Sequence, residues 1–358
     1  MEYQSLIPVA DTIPAPSWIF IVLEQLLFLL HIILVNAVLG GALILLFKRI
    51  SGKDEKNMIN WQLPVAKKLP VMVALGINMA IPPLLFLQVV FGHLFYTSSV
   101  LMAVYWILII PLLILAYYGT YIHVGKFASS PGFSKFSLFA AILIILYVGF
   151  MLVNNNSLME QPELWTAYFE NRGGTILNVS NPTFLPRYLH FITASVAVGG
   201  LLYAVVYFFK KDETEQKNEK IKDALKIFAI ATSVQVVVGF WYLLAIPRDF
   251  ILQFMGQNLV ATVFLMLGIL AGIGALVTGF LGKFKPAVVQ LLITLVAMII
   301  TRHNLRMMYL SDNFQLSELK ISPQYGILIL FLVVLVAGLG AIAYMLKIGF
   351  NNKEGRAA

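Results

Sequence analysis

The chain has 358 residues, 60% of them hydrophobic and only 12% charged, with a mean hydropathy of +0.86. Apolar stretches on that scale exceed what a globular core absorbs, which excludes a soluble domain. The formal net charge of +8 then reads as a topology signal and not as a nucleic-acid footprint, and the absence of Cys removes disulfides, iron–sulfur clusters and covalent C-x-x-C-H haem attachment.

Nine segments are long enough to cross a hydrocarbon core of about 30 Å, which takes roughly 20 apolar residues. They lie near 17–48, 68–92, 98–124, 134–154, 184–209, 224–247, 258–282, 286–303 and 324–347. Backbone groups in lipid must be satisfied within the segment, so unbroken apolar runs predict helices, whereas barrel strands would alternate. The expected fold is an all-α polytopic integral membrane bundle forming one domain over 1–358, with no internal repeat.

Segment one follows MEYQSLIPVADTIPAPSW, which has no basic n-region, and is too long for the h-region of a cleavable leader. It carries Glu24 and, two helical turns deeper on a similar face, His31. Segment two contains Pro82-Pro83 and closes on His93, and segment three contains Pro111 and ends near His123, expected at the membrane interface. After segment four, the polar stretch 155–183 with its Gly-Gly pair reads as an ordered cap or docking loop. Segment five opens with NPTFLPRYLH, placing Arg187 one turn before His190. The run KKDETEQKNEKIK ahead of segment six is a solvated loop. Segment seven contains Met266 within VFLMLGIL, and segment eight ends in TRHNLR, with Arg302, His303 and Arg306.

Orientation follows from the basic residues. Only Arg172, Arg187, Arg248, Arg302, Arg306 and Lys320, of 25 Lys and Arg, fall on the side where segment one begins. The rest, including Lys53, Lys56, Lys211, Lys347, Lys353 and Arg356, fall on the other. Positive-inside reasoning puts the N-terminus outside and the C-terminus in the cytoplasm, in agreement with an odd number of spans. An integral protein of a prokaryotic plasma (inner) membrane is expected.

Three of the five His (His31, His190, His303) lie inside or at the ends of apolar segments, and His93 closes another. Ionisable groups at membrane depth are costly and by default mark function. Imidazoles and a thioether in an apolar pocket with guanidinium groups at its mouth describe a haem site. His31, His190, Met266 and His303 are the candidate iron ligands, and Arg187, Arg302 and Arg306 the candidate propionate partners. His93 would serve an additional haem or hydrogen-bond a quinone. Glu24, the one acid clearly within a span, is the candidate proton-passing catalytic group. Plainer readings stand beside these: a His capped by a carbonyl, a Met used for packing, a solvated interfacial His, and a haem-free transporter or anchor on a similar scaffold.

The order of these features resembles the large subunit (subunit I) of cytochrome bd quinol oxidases. NSLMEQP (Asn156, Met159, Pro162) looks like that family's N-x-W-M-x-x-P motif after its fourth helix. NPTFLPRYLHFITASVAVGG is similar to the segment bearing the histidine of the low-spin b haem, and FLMLG (Phe264, Met266, Gly268) to a shortened form of the segment bearing its methionine. LEQLLFLLHIILVNAVLGG resembles the first helix, whose histidine ligates a haem at the oxygen-reducing centre, and FLQVVFG (Phe86, Gln88, Phe91, Gly92) resembles the second. His303 stands where the family has the glutamate of E-x-G-R-Q-P-W, the third helix lacks the family's glutamates, and the connection between helices six and seven shrinks to IPRDFILQFMGQN. The resemblance implies a b-haem cytochrome with two or three haems taking electrons from quinol, with oxygen as the acceptor. The alternative is a quinone-linked subunit passing electrons to an extracytoplasmic cytochrome. Expected partners are a smaller membrane subunit or that cytochrome, quinone and the lipid bilayer, with no nucleic acid.

Overall fold

The structure, a computed structural model, describes residues 3–52, 58–210 and 215–354. Lys53, Lys56, Lys211 and Arg356 of the charge pattern lie outside the described residues. Among the described residues nine long helices follow one another: α1 (Ser17–Ile50), α2 (Leu69–Leu101), α3 (Ala103–Gly125), α4 (Pro131–Glu160), α5 (Phe184–Phe208), α6 (Glu215–Ala245), α7 (Leu259–Phe280), α8 (Phe284–Leu310) and α9 (Tyr325–Glu354). The first eight are long and apolar enough to cross a membrane, and α9 contributes an apolar stretch over Tyr325–Gly338. Among the described residues the only β feature is an isolated bridge between Ile13 and Ile321. This is an all-α polytopic membrane bundle.

Short turns join most of the helices, so neighbours run antiparallel and the chain alternates between two ends of the bundle. At the end where α1 begins, Ile13 pairs with the segment leading into α9 (Ile13 N–H to the Lys320 carbonyl, 2.9 Å). At the other end, the buried Arg49 donates from Nη1 to Ser134 Oγ (2.8 Å) and from Nη2 to the Phe127 carbonyl (2.9 Å). That pair of bonds staples the last turn of α1 to the α3–α4 connection.

α5 packs closely on α1 and α6, α1 on α2, and α7 on α8. The α1–α5 crossing is set by small residues. A Cβ on Gly40 would sit 1.6 Å from the Ser195 carbonyl oxygen, and one on Gly199 would sit 2.3 Å from Gly40 C. Beside this contact, Ser195 Oγ donates to Asn36 Oδ1 at 2.9 Å in a fully buried bond. With little hydrophobic drive between helices in lipid, such close backbone approach and polar bridging hold the pair together. α8, by contrast, touches α1 and α4 only sparsely, and those touches are the polar side chains of the site described below.

Several helix ends differ from the sequence reading: α6 begins at Glu215, inside the run expected as a solvated loop, and α8 continues past His303 to Leu310. α2 does not close on His93 but runs two further turns to Leu101, kinked at Phe91 (φ −118°, ψ 22°). Its polar Thr97, Ser98 and Ser99 bond back to carbonyls of the preceding turn, so the run continues the helix instead of capping it. α4 extends through NNNSLME to Glu160, where a 3-10 turn over Pro162–Phe169 takes over. The following loop is ordered: Asn178 donates to Ser157 Oγ (2.8 Å) and Gln161 Oε1 (2.6 Å), and Ile176 N–H reaches the Leu101 carbonyl (3.0 Å).

Candidate functional site

The polar groups of the apolar helices converge at the end where α1 begins. Glu24, in the second turn of α1, is 3% exposed, and Arg306, near the end of α8, is 1% exposed. Arg306 Nη1 lies 2.9 Å from Glu24 Oε1, and its guanidinium sits 5.3 Å from the Phe91 ring centroid. A second pair lies alongside: Arg187 of α5 donates from Nη1 to Glu160 Oε2 of α4 (2.9 Å) and from Nε to Tyr242 Oη of α6 (2.8 Å). Glu160 is likewise buried. Arg302, one turn before Arg306, is different. It donates only a long bond to Asn156 Oδ1 (3.3 Å) and lies over the Phe28 ring (4.5 Å), and no carboxylate among the described residues reaches ion-pair distance. With its acids ionised, the group of three arginines and two glutamates holds one positive charge in excess.

The histidines surround this cluster. His303 stands between Arg302 and Arg306 in sequence, and its Nδ1 is buried with no partner. His31 lies one turn from Phe28, the ring under Arg302, with ring centroids 6.2 Å apart. Its Nδ1 is 3.0 Å from the Gly76 carbonyl of α2. A proton on Nδ1 donated to that carbonyl leaves the Nε2 lone pair bare, the usual arrangement of a metal-ligating imidazole. His190 is half-buried between α5 and α6, its ring 6.4 Å from Tyr242, and its Nδ1 has no partner. A Cβ on Gly239 would come within 3.2 Å of its Cε1, so the glycine opens the space the ring occupies.

The structure thus draws together Glu24, Arg187, Arg302, His303 and Arg306, with His31 two turns deeper along α1 than Glu24. Met266 does not join them: at 39% exposed it lies on the side of α7 opposite the buried stripe of Leu265, Gly268 and Ala275. His93 faces Phe314 (4.9 Å between ring centroids) within α2 and touches none of the arginines. His123, expected at the interface, is fully buried at the opposite end, where its Nδ1 is 2.9 Å from Ser134 Oγ. Among the described residues no three His, Asp or Glu side chains lie close enough to hold a metal ion by themselves.

Sequence reasoning missed Glu160, Tyr242 and the roles of Phe28 and Asn156. Glu160 was the most accessible of these, an acid at the end of an apolar segment with no Lys or Arg within a turn. At the same end, the shortened connection between α6 and α7 folds as a helical turn (Arg248–Leu252) and a wider turn through Gly256 (φ 118°). It forms one wall of a groove of about 360 Å³ with Asp249, Gln253, Asn258 and Asn304 among its polar lining and Phe250 and Met307 among its apolar one. Against known proteins, no family model matches the chain and no curated protein matches it.

Proposed function

We propose that the chain is a bd-type membrane cytochrome subunit that oxidises a quinol and passes the electrons through non-covalently held b haem, with dioxygen as the acceptor. The observation that carries the reading is Arg302, a guanidinium at membrane depth beside His303 with no carboxylate partner. A half-buried cation at this depth favours an anion, and a haem propionate would supply one next to an available imidazole. His31, with its tautomer set by Gly76, and His303 and His190, each with a buried partnerless Nδ1, are the residues that would hold iron. Met266 is left out because it lies on the exposed side of α7. Haem, when bound, supplies one-electron chemistry at iron.

The protein's own contribution is binding and charge. Glu24 and Glu160 neutralise Arg306 and Arg187, which leaves Arg302 as the free anion receptor. Asp249 and Asn304, in the groove at the same end of the bundle, would accept hydrogen bonds from the hydroxyls of a dihydroxy aromatic ring, with Phe250 and Met307 against its faces. The charge pattern favours a cytoplasmic C-terminus in a prokaryotic plasma membrane, and a smaller membrane subunit is the expected partner. A second acceptor, an extracytoplasmic cytochrome, is favoured by the apolar side chains Tyr168, Phe169 and Val179 exposed on the cap over this end.

The test is a reduced-minus-oxidised optical spectrum of the purified protein, followed by addition of a reduced quinol with oxygen uptake recorded alongside. A b-type α-band that appears on quinol addition, with oxygen consumed, is the expected result. Haem reduction without oxygen uptake selects the cytochrome acceptor. Protein purified without haem from a haem-replete host overturns the proposal.

A further inference from the structure

A groove lies at the opposite end of the bundle from the arginine cluster. It has a volume of about 430 Å³ and is lined by Lys222, Asp223 and Lys226 of α6 and by Phe280, Leu281 and Gly282 at the turn between α7 and α8. Lys222 and Lys226 are one helical turn apart and so project from the same face. Gly282 turns the chain with φ 68°, and a Cβ there would lie 3.4 Å from Lys222 Cγ, so the lysine stem rests against the turn. Lys283 and Lys285 follow directly, and Asp223 is the single acid of the lining.

We propose that this groove binds the phosphate headgroup of an anionic phospholipid. The polar–apolar boundary of the bundle runs through it on both of its walls. Lys226 is the last charged residue of α6, which then runs without a charge from Ile227 to Ala245. On the other wall, the uncharged α7 ends at Phe280, and the next charge is Lys283. A phosphodiester seated at this height meets two ammonium groups, and its acyl chains lie against the exposed side chains below: Ile230 and Val234 of α6, Val277 and Ile273 of α7. Exposed Phe280 and Leu281 form the step between headgroup and chains. Basic residues at the membrane surface attract acidic lipid by about 1 kcal/mol each, and two in one groove make a preference of roughly tenfold or more over a zwitterionic lipid. A soluble phosphate shares the headgroup chemistry but not the apolar wall.

The experiment uses the full chain, delipidated in detergent and re-supplied with phosphatidylglycerol or phosphatidylcholine. Bound lipid is read by native mass spectrometry. Phosphatidylglycerol should be retained roughly tenfold over phosphatidylcholine, and the double variant Lys222→Gln/Lys226→Gln should bring the two lipids level. Lys126→Gln/Lys135→Gln, which removes two basic residues at the same end, one just after α3 and one in the first turns of α4, should leave the preference intact. Preference that survives loss of Lys222 and Lys226, or disappears equally in the control, overturns the assignment. Inorganic phosphate at millimolar concentration should not displace the lipid; displacement by phosphate alone would make the ligand a soluble anion. None of these readouts depends on haem.

Discussion

Glu24 and Arg306 lie 282 positions apart in sequence and meet as a 2.9 Å ion pair from which water is almost entirely excluded. This contact is one of the few that bring α8 against α1, so an arrangement expected to move protons also fixes where the last turns of α8 stand. The carboxylate is committed to a guanidinium, with Gln25 Nε2 at 3.4 Å as its other neighbour.

Breaking one side of this pair should therefore cost far more than removing both. Glu24→Gln or Arg306→Met alone leaves a buried charge unpaired, a loss of about 3–5 kcal/mol. The double variant Glu24→Leu/Arg306→Met should recover most of it. Thermal unfolding of the purified protein in detergent checks this; equal losses in single and double variants would mean that the pair does not act as a unit.

Arg302 should behave differently from its neighbours because no carboxylate compensates it. Arg302→Met removes a half-buried cation that has no ion-pair partner, so folding stability should fall less than in Arg306→Met. If an anionic cofactor is held there, its midpoint potential should drop, because a lost positive charge favours the oxidised form. Arg302→Lys should hold the potential closer to that of the parent, though without the planar stacking on Phe28. Redox titration with spectral readout distinguishes the three.

The histidines and Met266 separate in the same way. His190→Ala should abolish a low-spin α-band and His31→Ala should lower the haem-to-protein ratio, both in folded protein. Met266→Ala, on the exposed side of α7, should leave the spectrum unchanged. Loss of the low-spin band in Met266→Ala would mean that α7 rotates when the cofactor is present.

Hydropathy was enough to find each long helix, because lipid leaves the backbone no alternative to internal hydrogen bonds. Ends were less legible. The TSS run beginning at Thr97 and the NNN run beginning at Asn154 look like loop chemistry but are absorbed into α2 and α4 by back-bonding and by tertiary partners such as Ser99 Oγ, which accepts from Asn155 Nδ2 at 3.1 Å. Within the site, Glu24 and the three arginines stood out in sequence simply by being rare at that depth, whereas Glu160 did not. Their pairing did not: nothing in the local pattern says that Arg187 takes Glu160, Arg306 takes Glu24 and Arg302 takes neither. The Gly76 carbonyl that orients His31 carries no side-chain signal at all, and helical period alone could not tell that Met266 faces away from the bundle, since α7 is apolar on every side.

The α1–α5 crossing gives the sharpest structural prediction. Gly40 meets the Ser195 carbonyl so closely that even a methyl group would overlap backbone, which no rotamer change relieves. Gly40→Ala should force the two helices apart and break the buried Ser195–Asn36 bond beside the contact. Because α5 carries Arg187 and His190 while α1 carries Glu24 and His31, the displacement reaches the polar cluster as well as the crossing. Gly41→Ala is the matched control: its nearest neighbour is the flexible tip of Leu202 at 2.9 Å, which can move aside. Yield and monodispersity in detergent should collapse for Gly40→Ala and stay near the parent for Gly41→Ala. Equal tolerance of both substitutions would place the helix crossing elsewhere.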